Sequence, residues 1–75
     1  MAKEEKVIHF FVNGKKIETT QESLTGARIK ELAGVQITDL LEELVDGNKP
    51  VAVNDEQTVE VKNKKFRTHP GGKDS

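Results

Sequence analysis

The stretch VIHFFVNGKKIETT, residues 7–20, predicts two strands joined by a tight turn. Residues 7–12 are mainly β-branched and aromatic, a composition that favours strands. Asn13-Gly14 follows at once, and both residues tolerate the positive φ of a type I′ hairpin turn. Residues 15–20 are then the returning strand. Because strand side chains alternate between two faces, we expect four apolar side chains to face the core: Ile8, Phe10, Val12 and Ile17.

A short helix is predicted in LTGARIKELAG, residues 24–34. Thr25 can accept a hydrogen bond from a first-turn N–H and so serve as the N-cap. Leu24 and Ile29 stand at the N′ and N4 positions, which is the spacing of a hydrophobic staple. Gly34 lies where a left-handed residue commonly ends a helix. A helix of about two to three turns is marginal in isolation, so this one must be held by packing.

The segment ITDLLEELV, residues 37–45, fits two alternatives. Its apolar residues match a helical stripe with i, i+3, i+4, i+7 and i+8 spacing, and local propensity favours the helix. A β-hairpin followed by a helix and further strands is, however, the β-grasp arrangement, in which this segment is a strand. Pairing within a sheet outweighs helix propensity, which separates these residues by roughly a few tenths of a kcal/mol. We therefore predict a strand here.

Two further strands are predicted after this segment. Residues 50–53 are expected to form a short edge strand, and residues 58–62 an alternating strand with Val59 and Val61 inward. Phe66 is the last residue large enough to pack, so we expect the residues after it to form a mobile tail. The predicted class is α+β, a β-grasp fold with a mixed sheet of four to five strands covered by one helix.

Composition excludes several classes of function. Seventy-five residues make one domain. The net charge of −1 argues against a dedicated nucleic-acid binder. The absence of cysteine excludes disulfides, thiol catalysis and thiolate zinc sites, and no apolar run approaches the roughly 18 residues of a membrane span. We expect a cytoplasmic monomer that is not an enzyme and takes no cofactor or metal ion, no nucleic acid and no membrane.

Two adjacent glycines, Gly71-Gly72, lie near the end of the sequence and are followed by Lys73–Ser75. We divide the chain into a flexible N-terminus at residues 1–6, a globular domain at residues 7–67 and a flexible C-terminal tail at residues 68–75. The position of the two glycines inside this tail raises the question of what they do there.

The chain resembles the bacterial ubiquitin-like proteins of the multiubiquitin type over roughly residues 7–68. The similarity rests on the Asn-Gly hairpin, the LTGARIKELAG helix, the NDEQTVEV stretch and the closing FRT. The resemblance implies a ubiquitin-like β-grasp fold. It also implies a gene neighbourhood with an E1-like activating enzyme, an E2-like conjugating protein and a JAB-type metalloprotease. The diglycine is similar to the terminus of ubiquitin and related modifiers, although FRTHPGG differs from the alternating leucine–arginine tail of ubiquitin itself.

This resemblance implies a ubiquitin-like modifier that is processed, activated and conjugated to amines on target proteins. Gly72 would be the thioester and conjugation terminus, and the bond between Gly72 and Lys73 the processing site, with Lys73–Ser75 as a processing peptide. The tail residues that enzymes would recognise are Gly71, Pro70 and Arg67. Two alternatives stay open: a sulfur carrier that forms a thiocarboxylate at Gly72, and a non-covalent β-grasp binding module whose glycines are incidental.

The composition of the tail suits a reactive acyl end. Glycine has no Cβ, so its carbonyl is open to attack and the chain fits a narrow channel. The six residues from Arg67 to Gly72 can extend about 20 Å from the globular body. Pro70 fixes its own φ and keeps His69 extended, which prevents helix formation in the tail.

Charged residues near the tail allow two interpretations. A basic cluster consists of Lys62, Lys64, Lys65 and Arg67, and an acidic set of Asp39, Glu42, Glu43 and Asp46. The basic cluster is either a solvated turn or a patch that steers the tail toward an acidic enzyme channel. We expect the acidic set to be a solvated face, His9 to be structural and His69 to be solvated, with no metal site between the two histidines.

Overall fold

The computed structural model of the chain describes residues 6–71. Over that range the chain forms seven strands and one helix. In chain order these are β1 (Ile8–Val12), β2 (Lys15–Thr19), β3 (Ser23–Thr25), α1 (Gly26–Ala33), β4 (Leu40–Val45), β5 (Lys49–Val53), β6 (Thr58–Glu60) and β7 (Lys65–His69). Of the N-terminus predicted at residues 1–6, only Lys6 lies within the described residues, and it belongs to no regular element.

Five of the strands form one mixed sheet in the order β2-β1-β7-β4-β5. The central strand, β7, runs parallel to β1 and antiparallel to β4. The outer pairs, β1 with β2 and β4 with β5, are antiparallel hairpins. Helix α1 packs its apolar residues against one face of the sheet. The predicted α+β class, with a mixed sheet covered by one helix, is confirmed.

The core of the domain lies between this sheet face and α1. The rings of Phe10 and Phe66 meet edge to face, with centroids 5.9 Å apart and an interplanar angle of 84°. That arrangement is the favourable one for aromatic pairs. The expected inward residues of the first hairpin are all buried. The full set of buried apolar residues is Ile8, Phe10, Val12, Ile17, Leu24, Ile29, Ala33, Leu41, Val53, Val61 and Phe66.

Residues 37–45 form a strand over Leu40–Val45, which confirms the choice of sheet over helix. Of the apolar residues in the helical stripe, only Leu41 is buried, with 2% of its surface exposed. Ile37 and Leu40 are more than half exposed. The stripe is therefore a coincidence of sequence, because pairing with β5 and β7 determines which side chain faces the core.

The chain after Phe66 differs from the prediction. Arg67, Thr68 and His69 were expected in a mobile tail, but they continue β7 as the central strand of the sheet. Backbone hydrogen bonds to neighbouring strands hold these residues. Such bonds do not depend on side-chain hydrophobicity, so the sequence pattern did not predict them. The sheet thus extends two residues beyond the expected domain boundary at residue 67.

The strand predicted at residues 58–62 is present but shorter, as β6 (Thr58–Glu60), and it lies outside the main sheet. β6 pairs antiparallel with β3 in a separate two-stranded sheet. The position beside β1 in the main sheet is occupied by β7, so β6 has no partner there. Val61 is buried just past the end of β6, and Val59 is half-buried against the core.

Both predicted ends of the helix are confirmed. The Thr25 hydroxyl accepts a hydrogen bond from the Arg28 N–H at 3.2 Å, and Gly34 adopts a left-handed φ of 76°. The start of α1 is also seated on the turn before β6. The N–H groups of Gly26 and Ala27 donate to backbone carbonyls in residues 54–57, each at 3.1 Å. These bonds satisfy two of the first-turn donors that a helix leaves unpaired.

Lys30 is a buried charged residue that the sequence did not reveal. Its Nζ donates to the Asp55 carboxylate at 2.7 Å and to the Ile37 carbonyl at 3.0 Å. A buried ammonium is tolerated when it is paired in this way. Lys30 therefore ties α1 to the turn before β6 and to the segment before β4.

We predict that Gly26→Ala destabilises the domain, although helix propensity alone predicts a gain of about 1 kcal/mol. A Cβ at residue 26 would overlap the backbone oxygen of Asn54 and lie 3.0 Å from its carbonyl carbon. Overpacking of this kind costs about 1–3 kcal/mol. Urea denaturation measures the change in the free energy of unfolding. Glu31→Ala, at an exposed position of the same helix, is the control and should stay within about 0.5 kcal/mol of the parent. A more stable Gly26→Ala protein would contradict the predicted overlap.

Candidate functional site

The C-terminal tail leaves the domain at the end of β7. Leu40 and His69 are the last residue pair between β4 and β7. Beyond it, Gly71 is half-buried against the segment that precedes β4. A Cβ on Gly71 would overlap the backbone oxygen of Thr38 and come 3.4 Å from Leu40 Cγ. The close approach requires glycine at this position.

This geometry corrects the predicted reach of the tail. The 20 Å extension was counted from Arg67, but Arg67 is fixed within β7. The segment that can extend from the sheet begins at Pro70. Three residues, from Pro70 to Gly72, span about 10 Å when fully extended.

The hairpin turn contacts the end of β7 through Asn13. The Thr68 N–H donates to Asn13 Oδ1 at 2.9 Å, and Asn13 Nδ2 donates to Thr68 Oγ1 at 2.8 Å. Asn13 has the positive φ of 55° that its place in the turn requires. The sequence predicted this turn correctly but gave no sign that its side chain reaches a residue 55 positions away.

Acidic residues of β4 pair with basic residues at the end of the chain. Glu42 lies opposite Arg67 in the strand register, and Arg67 Nε lies 2.8 Å from Glu42 Oε1. His69 Nε2 is 3.5 Å from the other oxygen of Glu42. Lys64 Nζ lies 3.7 Å from Glu43 Oε2. Glu42 and Glu43 are half-buried because strand pairing brings these charges together, so the predicted solvated face is wrong for these two glutamates. His69 is exposed, as predicted, although it also pairs with Glu42.

The hydrogen bond from Arg67 is the main cause that lowers the pKa of the Glu42 carboxyl below its ordinary value of 4.5. Desolvation acts in the opposite direction, and the hydrogen bond from His69 adds to the lowering. Favourable contacts to the charged form thus outweigh the loss of water around it. Pairing also offsets part of the charge of the basic cluster, so its steering role stays a prediction.

A shallow apolar depression lies beside these charges, on the sheet face opposite α1. It has a volume of about 410 Å³. Phe11 and Leu44 both lie opposite Lys65 in the register, so the three residues form one row across the sheet. No pattern in the sequence indicates this surface, because it depends on β7 lying between β1 and β4.

The histidines do not meet in the fold. His9 is half-buried on β1, where its Nε2 lies 3.4 Å from Glu18 Oε2, and His69 pairs with Glu42. Within residues 6–71, no group of His, Cys, Asp or Glu side chains is arranged to hold a metal ion. The helix in that part of the chain is not long and apolar enough to cross a membrane.

The structure thus brings three of the predicted tail residues together at one end of the sheet. Arg67 lies on β7, and Pro70 and Gly71 follow it alongside the start of β4. Gly72 and the processing peptide Lys73–Ser75 lie outside the described residues, and their roles stay predictions.

Comparison with known protein families gives one match. Residues 8–68 match the model of a protein family described as Multiubiquitin. No curated protein and no solved structure matches the chain. The matched range contains α1 and nearly all of the strands, and it ends before Pro70 and the two glycines.

We predict that Arg67→Gln raises the pKa of Glu42 toward its ordinary value of 4.5, because it removes the main contact that stabilises the carboxylate. The folded-state pKa lies below the unfolded one, so the ionised glutamate stabilises the fold above pH 4.5. That contribution is lost as the pH falls through the lowered pKa. Carbon-detected NMR titration of the Glu42 carboxyl measures the shift.

Lys16→Gln is the charge-matched control for this titration. It removes one positive charge on β2, three strands away from β4, so the Glu42 midpoint should stay where it is in the parent. Equal midpoints in the parent and in Arg67→Gln would show that the Arg67 contact does not stabilise the carboxylate.

Proposed function

Because the chain belongs to the Multiubiquitin family, we propose that it is a ubiquitin-like modifier whose reactive group is the carboxylate of Gly72. The observation that supports this proposal is the course of β7. The central strand of a ubiquitin-like domain ends at His69, directly before Pro70, Gly71 and Gly72. The diglycine therefore follows the central strand of the sheet.

In this proposal the protein is a substrate and the catalytic groups belong to its partners. An E1-like enzyme joins the Gly72 carboxylate to the α-phosphate of ATP and releases pyrophosphate. A cysteine thiolate of that enzyme then attacks the acyl adenylate, forms a thioester and releases AMP. An E2-like protein accepts the acyl group as a second thioester. A lysine amine of a target protein finally attacks the carbonyl, and the thiol leaves as the amide forms.

Glycine suits each of these acyl transfers. In every step after adenylation a nucleophile has to approach the Gly72 carbonyl along a narrow channel, and a side chain on the α-carbon would obstruct that approach. Gly71 contributes differently, because the absence of a Cβ lets it lie against Thr38. The tail has to leave this contact before it can extend into an enzyme, and a single backbone contact at a chain end is readily broken.

Activation in this scheme requires removal of the residues after Gly72. A protease must hydrolyse the bond between Gly72 and Lys73, so that water supplies the new carboxylate oxygen and the amine of Lys73 departs with the peptide. A JAB-type metalloprotease fits this step, since its metal ion activates the attacking water within that enzyme. Backbone pairing with β4 keeps the strand before the tail in one orientation for such partners.

We predict that the JAB-type protease expected from the gene neighbourhood removes Lys73–Ser75 and nothing else. Intact-mass spectrometry should show a loss that corresponds to these three residues. Gly72→Val is the matched substrate control, since a β-branched side chain next to the cleaved bond should prevent hydrolysis without affecting the sheet. Cleavage at any other bond of the parent protein would contradict the assignment of Gly72 as the mature terminus.

We further predict that a chain ending at Gly72 forms a thiol-sensitive thioester with the E1-like enzyme in the presence of ATP, and that Gly72→Val abolishes it. Gel electrophoresis with and without reductant detects the adduct. Lys49→Gln, a change in β5 away from the tail, should leave the adduct intact. A mature protein that carries sulfur in place of a Gly72 carboxylate oxygen would instead support a sulfur carrier. Absence of any adduct from the chain that ends at Gly72 would support a non-covalent binding module.

A further inference from the structure

We propose that Asn13 is a positioning residue for the tail, because its side chain acts as an additional rung between β1 and β7. This rung extends to Thr68 and fixes where the rigid sheet ends and the substrate tail begins. The inference rests on the proposed function for its effect on activation, whereas the rung itself is a property of the fold.

The backbone ladder between β1 and β7 stops short of the tail. The Phe11 N–H donates to the Lys64 carbonyl, and the Asn13 N–H donates to the Phe66 carbonyl, both at 3.0 Å. After Asn13 the chain turns away into β2. Strand β1 therefore has no further backbone group to offer the remainder of β7.

The Asn13 amide continues the ladder where the backbone stops. A side-chain amide contains the same carbonyl and N–H groups as a peptide bond. Its Oδ1 accepts the Thr68 N–H at 2.9 Å, and its Nδ2 donates to the Thr68 hydroxyl at 2.8 Å. Two bonds to one residue fix both the position and the orientation of Thr68.

Successive residues of β7 direct their backbone groups to opposite sides, so the contact between Asn13 and Thr68 can be measured at one amide. Lys64 and Phe66 direct their carbonyls toward β1, so Thr68, two residues further along the same strand, directs its backbone groups to that side. The neighbouring residues Arg67 and His69 direct theirs toward β4. The Thr68 N–H thus depends on Asn13 Oδ1, whereas the residues on either side of it depend on β4.

Loss of the rung would add residues to the segment that leaves the sheet before the glycines. With it, β7 is held on both sides through Thr68, and the tail begins at Pro70. Without it, Thr68 and His69 are held by β4 alone and fray as an edge strand does. An enzyme that binds an extended tail would then have to order more residues, which weakens binding while leaving the reacting carbonyl unchanged.

Two substitutions at residue 13 test the contact with Thr68 without disturbing the hairpin turn. Gly-Gly and Asp-Gly both suit a type I′ turn, so Asn13→Gly and Asn13→Asp keep the hairpin. Asn13→Gly removes both bonds to Thr68. Asn13→Asp keeps two, because one carboxylate oxygen accepts the Thr68 N–H and the other accepts the Thr68 hydroxyl proton.

The first experiment is amide hydrogen exchange of the full chain, followed by NMR. In Asn13→Gly the Thr68 amide should exchange about tenfold faster than in the parent, the size expected for one lost hydrogen bond. The amides of Arg67 and His69 should change less, and Asn13→Asp should restore slow exchange at Thr68. Unchanged exchange at Thr68 in Asn13→Gly, or no restoration in Asn13→Asp, would overturn the rung.

The second experiment measures ATP-dependent adenylation of chains ending at Gly72 by the E1-like enzyme. Asn13→Gly should raise KM about three- to tenfold with kcat unchanged, and Asn13→Asp should restore the parent KM. An unchanged KM despite fast exchange at Thr68 would overturn the positioning role. If the chain that ends at Gly72 and keeps Asn13 is not adenylated at all, the proposed function fails and the positioning role fails with it. The exchange data alone still decide whether the rung exists.

Discussion

Insertion of β7 between β1 and β4 is the constraint on which this domain depends. It places Phe66 at the centre of the sheet, where its ring packs edge to face on Phe10. It also joins two hairpins, β1–β2 and β4–β5, that otherwise share no backbone hydrogen bonds in the sheet. Two-stranded hairpins are marginal in water, whereas a five-stranded sheet with one covered face is stable. The helix and the small β3–β6 sheet then complete the core around that centre.

The same strand organises the surface near the tail. Its register with β4 sets Arg67 opposite Glu42 and brings His69 within 3.5 Å of the same carboxylate. Its register with β1 brings Thr68 to the side chain of Asn13. Gly71 then reaches Thr38 because the chain leaves the sheet alongside β4. Charge pairing, side-chain hydrogen bonding and glycine packing therefore act together on the short stretch that precedes the proposed acyl end.

Local signals predicted the elements whose stability is local. The Asn13-Gly14 turn, the Thr25 cap and the Gly34 end of the helix are each set by a few neighbouring residues. The strand at Leu40–Val45 required an argument from the whole arrangement, because its own residues favour a helix. The strand at Arg67–His69, the rung from Asn13 and the buried Lys30 depend on partners far along the chain. No local pattern reveals them, since backbone pairing and the contacts of a single polar side chain are independent of hydrophobic periodicity.

The central position of the last strand also determines when the fold can form during synthesis. The β1–β2 hairpin leaves the ribosome first, whereas β7, which lies between β1 and β4, emerges after every other element of the domain. Until Lys65–His69 has left the exit tunnel, both hairpins expose an unpaired edge, and Phe10 lacks its aromatic neighbour. Such long-range closure is slow compared with local helix formation. The complete sheet therefore requires translation of the domain through His69, and a product that ends before β7 lacks the strand that joins the two hairpins.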